Sequence, residues 1–230
     1  MNHSLSKIKV AIDGPAGAGK SSVAKMTAEK LGYVYVDTGA MYRAITWSIL
    51  DLNLDLNDSS GILHLLEHID LSLKPSPAGQ QVWINGQDVT PHLRTPLINQ
   101  HVSQIAKMPN VRQFLTHIQK RMSSEGGVVM DGRDIGTVVM PDAQLKIFLT
   151  ASVQERARRR YMEMKAAGNE LDMEQLIKEI SERDRMDEQR EISPLCQAED
   201  AIFLDCTELS MQQVVDIIVE LSMSKINEAE

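Results

Sequence analysis

Residues Gly14 to Ser21 read Gly-Pro-Ala-Gly-Ala-Gly-Lys-Ser and satisfy the spacing G-x-x-x-x-G-K-[ST]. Without a Cβ at Gly14, Gly17 and Gly19, such a loop turns tightly and aims its backbone N–H groups inward at phosphate oxygens. At its end Lys20 reaches the β and γ phosphates of a nucleoside triphosphate, and the Ser21 hydroxyl faces the accompanying Mg²⁺. Pro15, Ala16, Ala18 and Ser22 complete the stretch expected to line the triphosphate.

A phosphate loop alone does not separate a kinase from a switch or a motor, and the basic residues narrow the choice. Arg156, Arg158, Arg159 and Arg160 crowd one stretch, while Arg183, Asp187 and Arg190 recur at i, i+4 and i+7 in the next. At 3.6 residues per turn, the second trio falls within an arc of roughly 60° on one helix face. Solvated Asp–Arg pairs would account for either stretch by itself. Beside a phosphate loop, in a chain of formal net charge -8, the two together point to phosphoryl transfer between two anionic substrates. That reaction crowds negative charge into one place and needs local cations. The acidic balance excludes a generic polyanion binder, so no nucleic acid polymer is expected as a partner.

The elements that must position these groups follow from periodicity. Ile8 to Ile12, Tyr33 to Val36, Gly127 to Met130, Leu145 to Leu149 and Ala201 to Leu204 are short apolar runs. They alternate with helical patterns at Ser22 to Leu31, about Ala40 to Leu50, Ser152 to Ala167, Met173 to about Glu191, and Met211 to Met223. That alternation predicts an α/β fold with a central parallel sheet covered on both faces. Gly168 is expected to close the Arg-rich helix. The polar stretch from Leu52 to Ser60 reads as a hinge into an inserted piece. There a turn at Pro75 to Gly79 and the Asn85-Gly86 pair predict a small antiparallel sheet, followed by helices over Pro96 to Lys107 and Asn110 to Ser124.

The chain resembles the bacterial cytidylate kinases, a branch of the nucleoside monophosphate kinases. The residues carrying the resemblance are GPAGAGKS at Gly14 to Ser21, DTGAMYR at Asp37 to Arg43, INGQDVT at Ile84 to Thr90, and the stretch Arg94 to Arg112. They continue with DGRDIGTVVMPDA at Asp131 to Ala143 and RDRMDEQR at Arg183 to Arg190. The resemblance covers nearly the whole chain in the same order. It implies a P-loop three-layer core over 1–51 and 126–230, a monophosphate-binding insertion over 52–125, and a short helical lid over about 152–170.

It further implies ATP-dependent phosphorylation of CMP and dCMP to the diphosphates, with Mg²⁺ accompanying ATP. Arg43, Arg133 and Arg190 match positions that hold the acceptor's phosphate. Tyr42, Arg183 and Asp187 match positions around the sugar, and Asp134, Arg112 and Ser103 those that meet cytosine. Thr38 stands where many relatives have Ser, which keeps the hydroxyl. Lys20, Arg133, Arg156 and Arg160 are the expected charge-stabilising residues, with Arg158 and Arg159 equally open as lid arginines.

Other residues read blandly. Cys196 and Cys206 fit no metal spacing and are expected as buried, reduced thiols. His64, His68, His92, His101 and His117 are expected in surface or supporting roles, so no metal other than Mg²⁺ is expected. Trp47, Trp83 and the methionines read as packing residues. Asp131 could back the Mg²⁺ or cap a turn. No apolar run reaches signal-peptide or membrane-spanning length, so a cytoplasmic protein with no membrane partner is expected, and a monomer, because the lid and the insertion both have to move. A P-loop kinase for UMP, AMP or a metabolite is the near alternative. A GTP- or ATP-binding regulator is the remote one, since no Asn-Lys-x-Asp guanine motif is present.

Overall fold

A computed structural model describes residues 7–76, 79–166 and 172–228. In chain order the elements are β1 (Lys9–Asp13), α1 (Lys20–Leu31), β2 (Val34–Asp37), α2 (Thr38–Asp51), α3 (Ser59–His68), β3 (Leu71–Ser76), β4 (Gly79–Ile84) and β5 (Gln87–Asp88). After a 3₁₀ turn come α4 (Pro96–Ile105), α5 (Pro109–Met122), β6 (Val128–Gly132), β7 (Leu145–Thr150), α6 (Val153–Ala166), α7 (Met173–Glu188), β8 (Ile202–Asp205) and α8 (Met211–Glu228). They divide into two compact units, Met1–Tyr35 with Ser123–Glu230, and Val36–Met122.

The first unit is built on a five-stranded sheet ordered β2-β6-β1-β7-β8, parallel across β6–β1, β1–β7 and β7–β8. Continuous apolar runs form the central strands because both faces are covered; Val10, Ala11 and Ile12 of β1 are all buried, whereas the edge strand β8 leaves Ile202 and Phe203 exposed. α1 packs with α8, and Val23, Ala24 and Ala28 share one core with Val214, Val215 and Ile218. Gly32, left-handed with φ 66, caps α1, its N–H bonding the carbonyls of Ala28 and Glu29. α6 and α7 pair over a separate small cluster of Ala157, Leu176 and Ile180. In register, Asp13 lies opposite Gly132, so Gly14 and Arg133 leave the sheet from adjoining strand ends.

The second unit contains the antiparallel sheet β3-β4-β5. Asn85 at φ 49 and Gly86 at φ 81 join β4 to β5, the two positive φ values that make Asn-Gly favourable in a hairpin. α2 packs against α4 and α5, burying Met41, Ile45 and Ile49 with Ile98, Val102, Ile105, Val111 and Leu115.

Several expectations need correction. The polar hinge ends earlier than Ser60, because the Asp58 carboxylate accepts from Gly61 N at 2.9 Å and starts α3. That helix buries only Ile62 and Leu66, too few to show a strong periodicity. α7 stops at Glu188 rather than near Glu191, since Leu195 N turns back to the Asp187 carbonyl at 2.8 Å. Arg190 therefore lies beyond the helix and off the arc expected for it. Cys196 is exposed, and only Cys206 is buried. A single π turn at Ile135–Val139 follows β6 where no helical pattern is visible in the sequence. The expected Gly168 closure, the end of the lid and the centre of the Pro75 to Gly79 turn lie outside the described residues. No helix among the described residues is long and apolar enough to cross a membrane.

Candidate active site

The loop between β1 and α1 has the conformation its glycines suggest. A Cβ at Gly14, φ 148, would lie 1.9 Å from the Leu149 carbonyl oxygen, so only glycine fits. Gly19 caps α1 in the left-handed region and provides no side chain to occupy the helix's first N–H groups. Those donors, at the positive end of the helix dipole, form a ready anion site. Lys20 is the first residue of α1 and buried, its ammonium donating to the Pro15 carbonyl at 2.7 Å. Burial, and then the nearby Arg133 charge, lower its pKa well below the ordinary lysine range. The Ser21 hydroxyl donates to Asp131 Oδ2 at 2.8 Å, while the Tyr35 hydroxyl donates to Asp131 Oδ1 at 2.9 Å. Asp131 thus faces the loop and holds the Ser21 oxygen in place.

Asp13, the last residue of β1, accepts from Ile135 N at 2.8 Å and Gly136 N at 2.7 Å. Burial pushes its carboxyl up to about 6, against the lowering effect of those two bonds. Asp13 ties the strand that delivers the phosphate loop to the π turn directly after Arg133 and Asp134. Arg133 Nε donates to Asp187 Oδ2 at 2.8 Å. Burial alone would raise the Asp187 carboxyl, but the Arg133 charge overcomes it and holds the pKa below the usual value. Asp134 and Arg190 are both buried, 3.7 Å apart, and Arg190 Nε also donates to the Ser193 carbonyl. Arg183 is half-buried one helical turn before Asp187. Arg133, Asp134, Asp187 and Arg190 therefore form a charged cluster in this unit despite the early end of α7.

The four arginines of α6 have separate surroundings. Arg156 is buried: it donates to the carbonyls of Ala151 at 2.8 Å and Ala16 at 3.0 Å, and pairs with Asp184 at 2.7 Å. It is thus packed beneath the phosphate loop. Arg158 and Arg159 bracket Glu155, whose carboxyl falls to about 2, chiefly through its hydrogen bonds to Arg158. Arg159 additionally donates to the Cys206 carbonyl at 2.8 Å. Arg160 is half-buried, with no side-chain partner among the described residues.

The second unit carries its own set. Asp37 caps α2 through Ala40 N at 2.8 Å, and Thr38, Tyr42 and Arg43 occupy its first turns, the first two buried. Arg112, buried on α5, lies 5.6 Å from the centre of the Tyr42 ring and donates to the Ala106 carbonyl at 3.1 Å. Ser103 is half-buried on α4, the helix packed against α2. Arg94 reaches the Asp37 carboxylate at 3.8 Å. Sequence reasoning did not single out Asp13, Tyr35 or Asp184. Asp13 offered one signal, a carboxylate ending an apolar strand immediately before Gly14.

The cytidylate kinase family model matches residues 10–224. A cytidylate kinase of Carboxydothermus hydrogenoformans is 50% identical over 214 residues, 93% of this chain and 96% of its own length. That of Bacillus subtilis is 52% identical over 214 residues, again 93% of this chain and 96% of its own. Among solved structures, an uncharacterized protein from Eubacterium ventriosum superposes with TM-score 0.51 at 13% identity. The match covers 95% of this chain and 99% of the other, and it bears on the fold alone.

Proposed function

The chain belongs to the cytidylate kinase family, and we infer from that membership and from the site that it is an ATP-dependent nucleoside monophosphate kinase. It converts CMP and dCMP to CDP and dCDP. The observation that carries this reading is the register of β1 with β6, Asp13 opposite Gly132. Through it the phosphate loop and the Arg133–Asp134 pair leave adjoining strands at one end of the sheet, the position where open α/β sheets bind ligands. Another small acceptor, or a regulator that binds GTP, is not favoured by this combination.

In the mechanism we propose, Gly14 to Ser22 cradle the ATP phosphates and Lys20 draws charge from the β and γ groups. No covalent enzyme intermediate and no obligatory general base are involved; catalysis rests on position and charge. The Ser21 hydroxyl, held by Asp131, supplies the hard oxygen surroundings that suit Mg²⁺. When bound, that ion offsets the charge of the phosphate oxygens. Arg43, Arg133 and Arg190 hold the acceptor's phosphate with guanidinium forks. Tyr42, Arg183 and Asp187 attend the sugar, with Thr38 beside them. Ser103, Arg112 and Asp134 read cytosine, whose exocyclic amine donates to the Asp134 carboxylate; uracil would set a carbonyl against it.

Of the lid arginines, Arg160 has no side-chain partner among the described residues, whereas Arg156 must exchange the Ala16 carbonyl for phosphate oxygens. The lid over about 152–170 serves to exclude water during transfer, and the insertion over 52–125 serves to bind the monophosphate. The protein acts as a cytoplasmic monomer in this reading, which sedimentation would check. A coupled ADP-release assay with CMP, dCMP, UMP, AMP and no acceptor tests the activity. Turnover with CMP no faster than the blank would sink the proposal.

A further inference from the structure

Three side chains near the end of α3 take no part in the nucleotide chemistry. His64, Glu67 and His68 are all exposed, and their potential ligand atoms lie within 4.8 Å of one another. Spacing at i, i+3 and i+4 puts the three on one strip of the helix, and the two imidazoles approach to 4.3 Å between centroids. No ion pair among the described residues engages Glu67. None of the three belongs to the apolar core, so packing does not account for their juxtaposition.

The hydrogen bonding of His68 adds an independent observation. Its Nδ1 lies 2.8 Å from the His64 carbonyl oxygen. A carbonyl only accepts, so the neutral ring that makes this contact carries its proton on Nδ1 and its lone pair on Nε2. A ligating histidine is oriented the same way in metal sites: one ring nitrogen is fixed by a carbonyl or carboxylate and the other is left free for the ion. α3 also ends at His68, so its last carbonyls and the negative end of its dipole favour a cation at this strip.

We propose that His64, Glu67 and His68 form a binding site for a borderline divalent transition ion, with Zn²⁺ as the ion. Two imidazole nitrogens and one carboxylate oxygen would hold it, and water would complete its coordination. Mg²⁺ does not fit, because it prefers oxygen ligands. The ion staples the final turn of a helix that buries only Ile62 and Leu66, so binding stabilises a helix that packing holds lightly.

Titration calorimetry of Zn²⁺ into full-length protein freed of metal by EDTA and dialysis tests the site. One saturable event is expected. His64→Ala and His68→Ala should each weaken it by at least the roughly 10- to 100-fold that losing an outer partner of a metal site costs. Both variants should keep kinase turnover, which also reports that they fold. Cys196→Ser removes the exposed thiol, the competing zinc ligand, and should leave the affinity unchanged. In the unaltered protein, Zn²⁺ should shift the imidazole resonances of His64 and His68 and leave those of His92, His101 and His117 in place. Absence of saturable binding, or survival of binding in the His64→Ala/His68→Ala double variant, would overturn the proposal. So would its loss in Cys196→Ser, or resonance shifts confined to the other histidines.

Discussion

Replacing Asp13 by Asn probes the tie between the phosphate-loop strand and the turn directly after Arg133 and Asp134. The wild-type carboxyl is buried and raised from 3.8 to about 6, so its ionised form costs about 3 kcal/mol in the folded state relative to the unfolded chain. The fold favours the protonated form. This contribution to stability is therefore complete below 3.8 and is lost as pH rises through about 6. Between about pH 4.5 and about pH 7 the wild type should lose about 2 kcal/mol from this residue alone. Asn cannot titrate, but its single carbonyl oxygen leaves one of the N–H groups of Ile135 and Gly136 poorly matched, costing about 1–3 kcal/mol at every pH. Urea unfolding of both proteins across this range measures the difference, in which other carboxylates cancel. Wild type minus variant should grow by about 2 kcal/mol on acidification, and KM for CMP should rise in the variant as the turn loosens. A stability gap that stays flat with pH would show that Asp13 does not titrate as argued.

Four further outcomes follow from particular contacts. Gly14→Ala places its Cβ 1.9 Å from the Leu149 carbonyl and should destabilise by more than about 4 kcal/mol in a urea melt. Gly32→Ala meets open space, with only its φ of 66 against it, and should cost about 1 kcal/mol; equal losses would contradict the steric reading. Asp184→Ala strands a buried Arg156 and should cost about 3–5 kcal/mol, whereas Arg156→Met with Asp184→Leu should cost less. Equilibrium unfolding decides between them. Lys20→Ala should lower kcat on the order of 100-fold or more with CMP affinity nearly kept, while Arg133→Ala should chiefly weaken CMP binding. Matched losses of ATP and CMP affinity in both variants would break that assignment. Asp134→Asn should narrow the preference for CMP over UMP, and an unchanged ratio of kcat/KM values would remove it from base recognition.

The parts of the site legible in the sequence are those whose geometry is local. The loop from Gly14 to Ser21 sets its own conformation through residues a few positions apart, so spacing alone located Lys20 and Ser21. The strands of the first unit were equally plain, because continuous apolar runs leave little choice of element. α3 was missed because two buried residues, Ile62 and Leu66, are too few to set a period. The partners of Asp13 and Asp131 were hidden for a different reason: Ile135 and Gly136, and Ser21, lie more than a hundred residues away. No periodicity connects them.

The arginines of α6 show most directly where sequence reasoning stops. Four like charges within little more than one turn of a helix are equivalent until carboxylates divide them, and those carboxylates come from two places. Glu155, on the same helix, holds Arg158 and Arg159 and was within reach of an i, i+3 and i, i+4 argument. Asp184 comes from α7 and pins Arg156 beneath the loop at 2.7 Å, a contact that depends on how the two helices pack over Ala157, Leu176 and Ile180. Helical spacing can therefore explain why Arg158 and Arg159 are neutralised. Only the helix pairing explains why Arg156 is committed to Asp184.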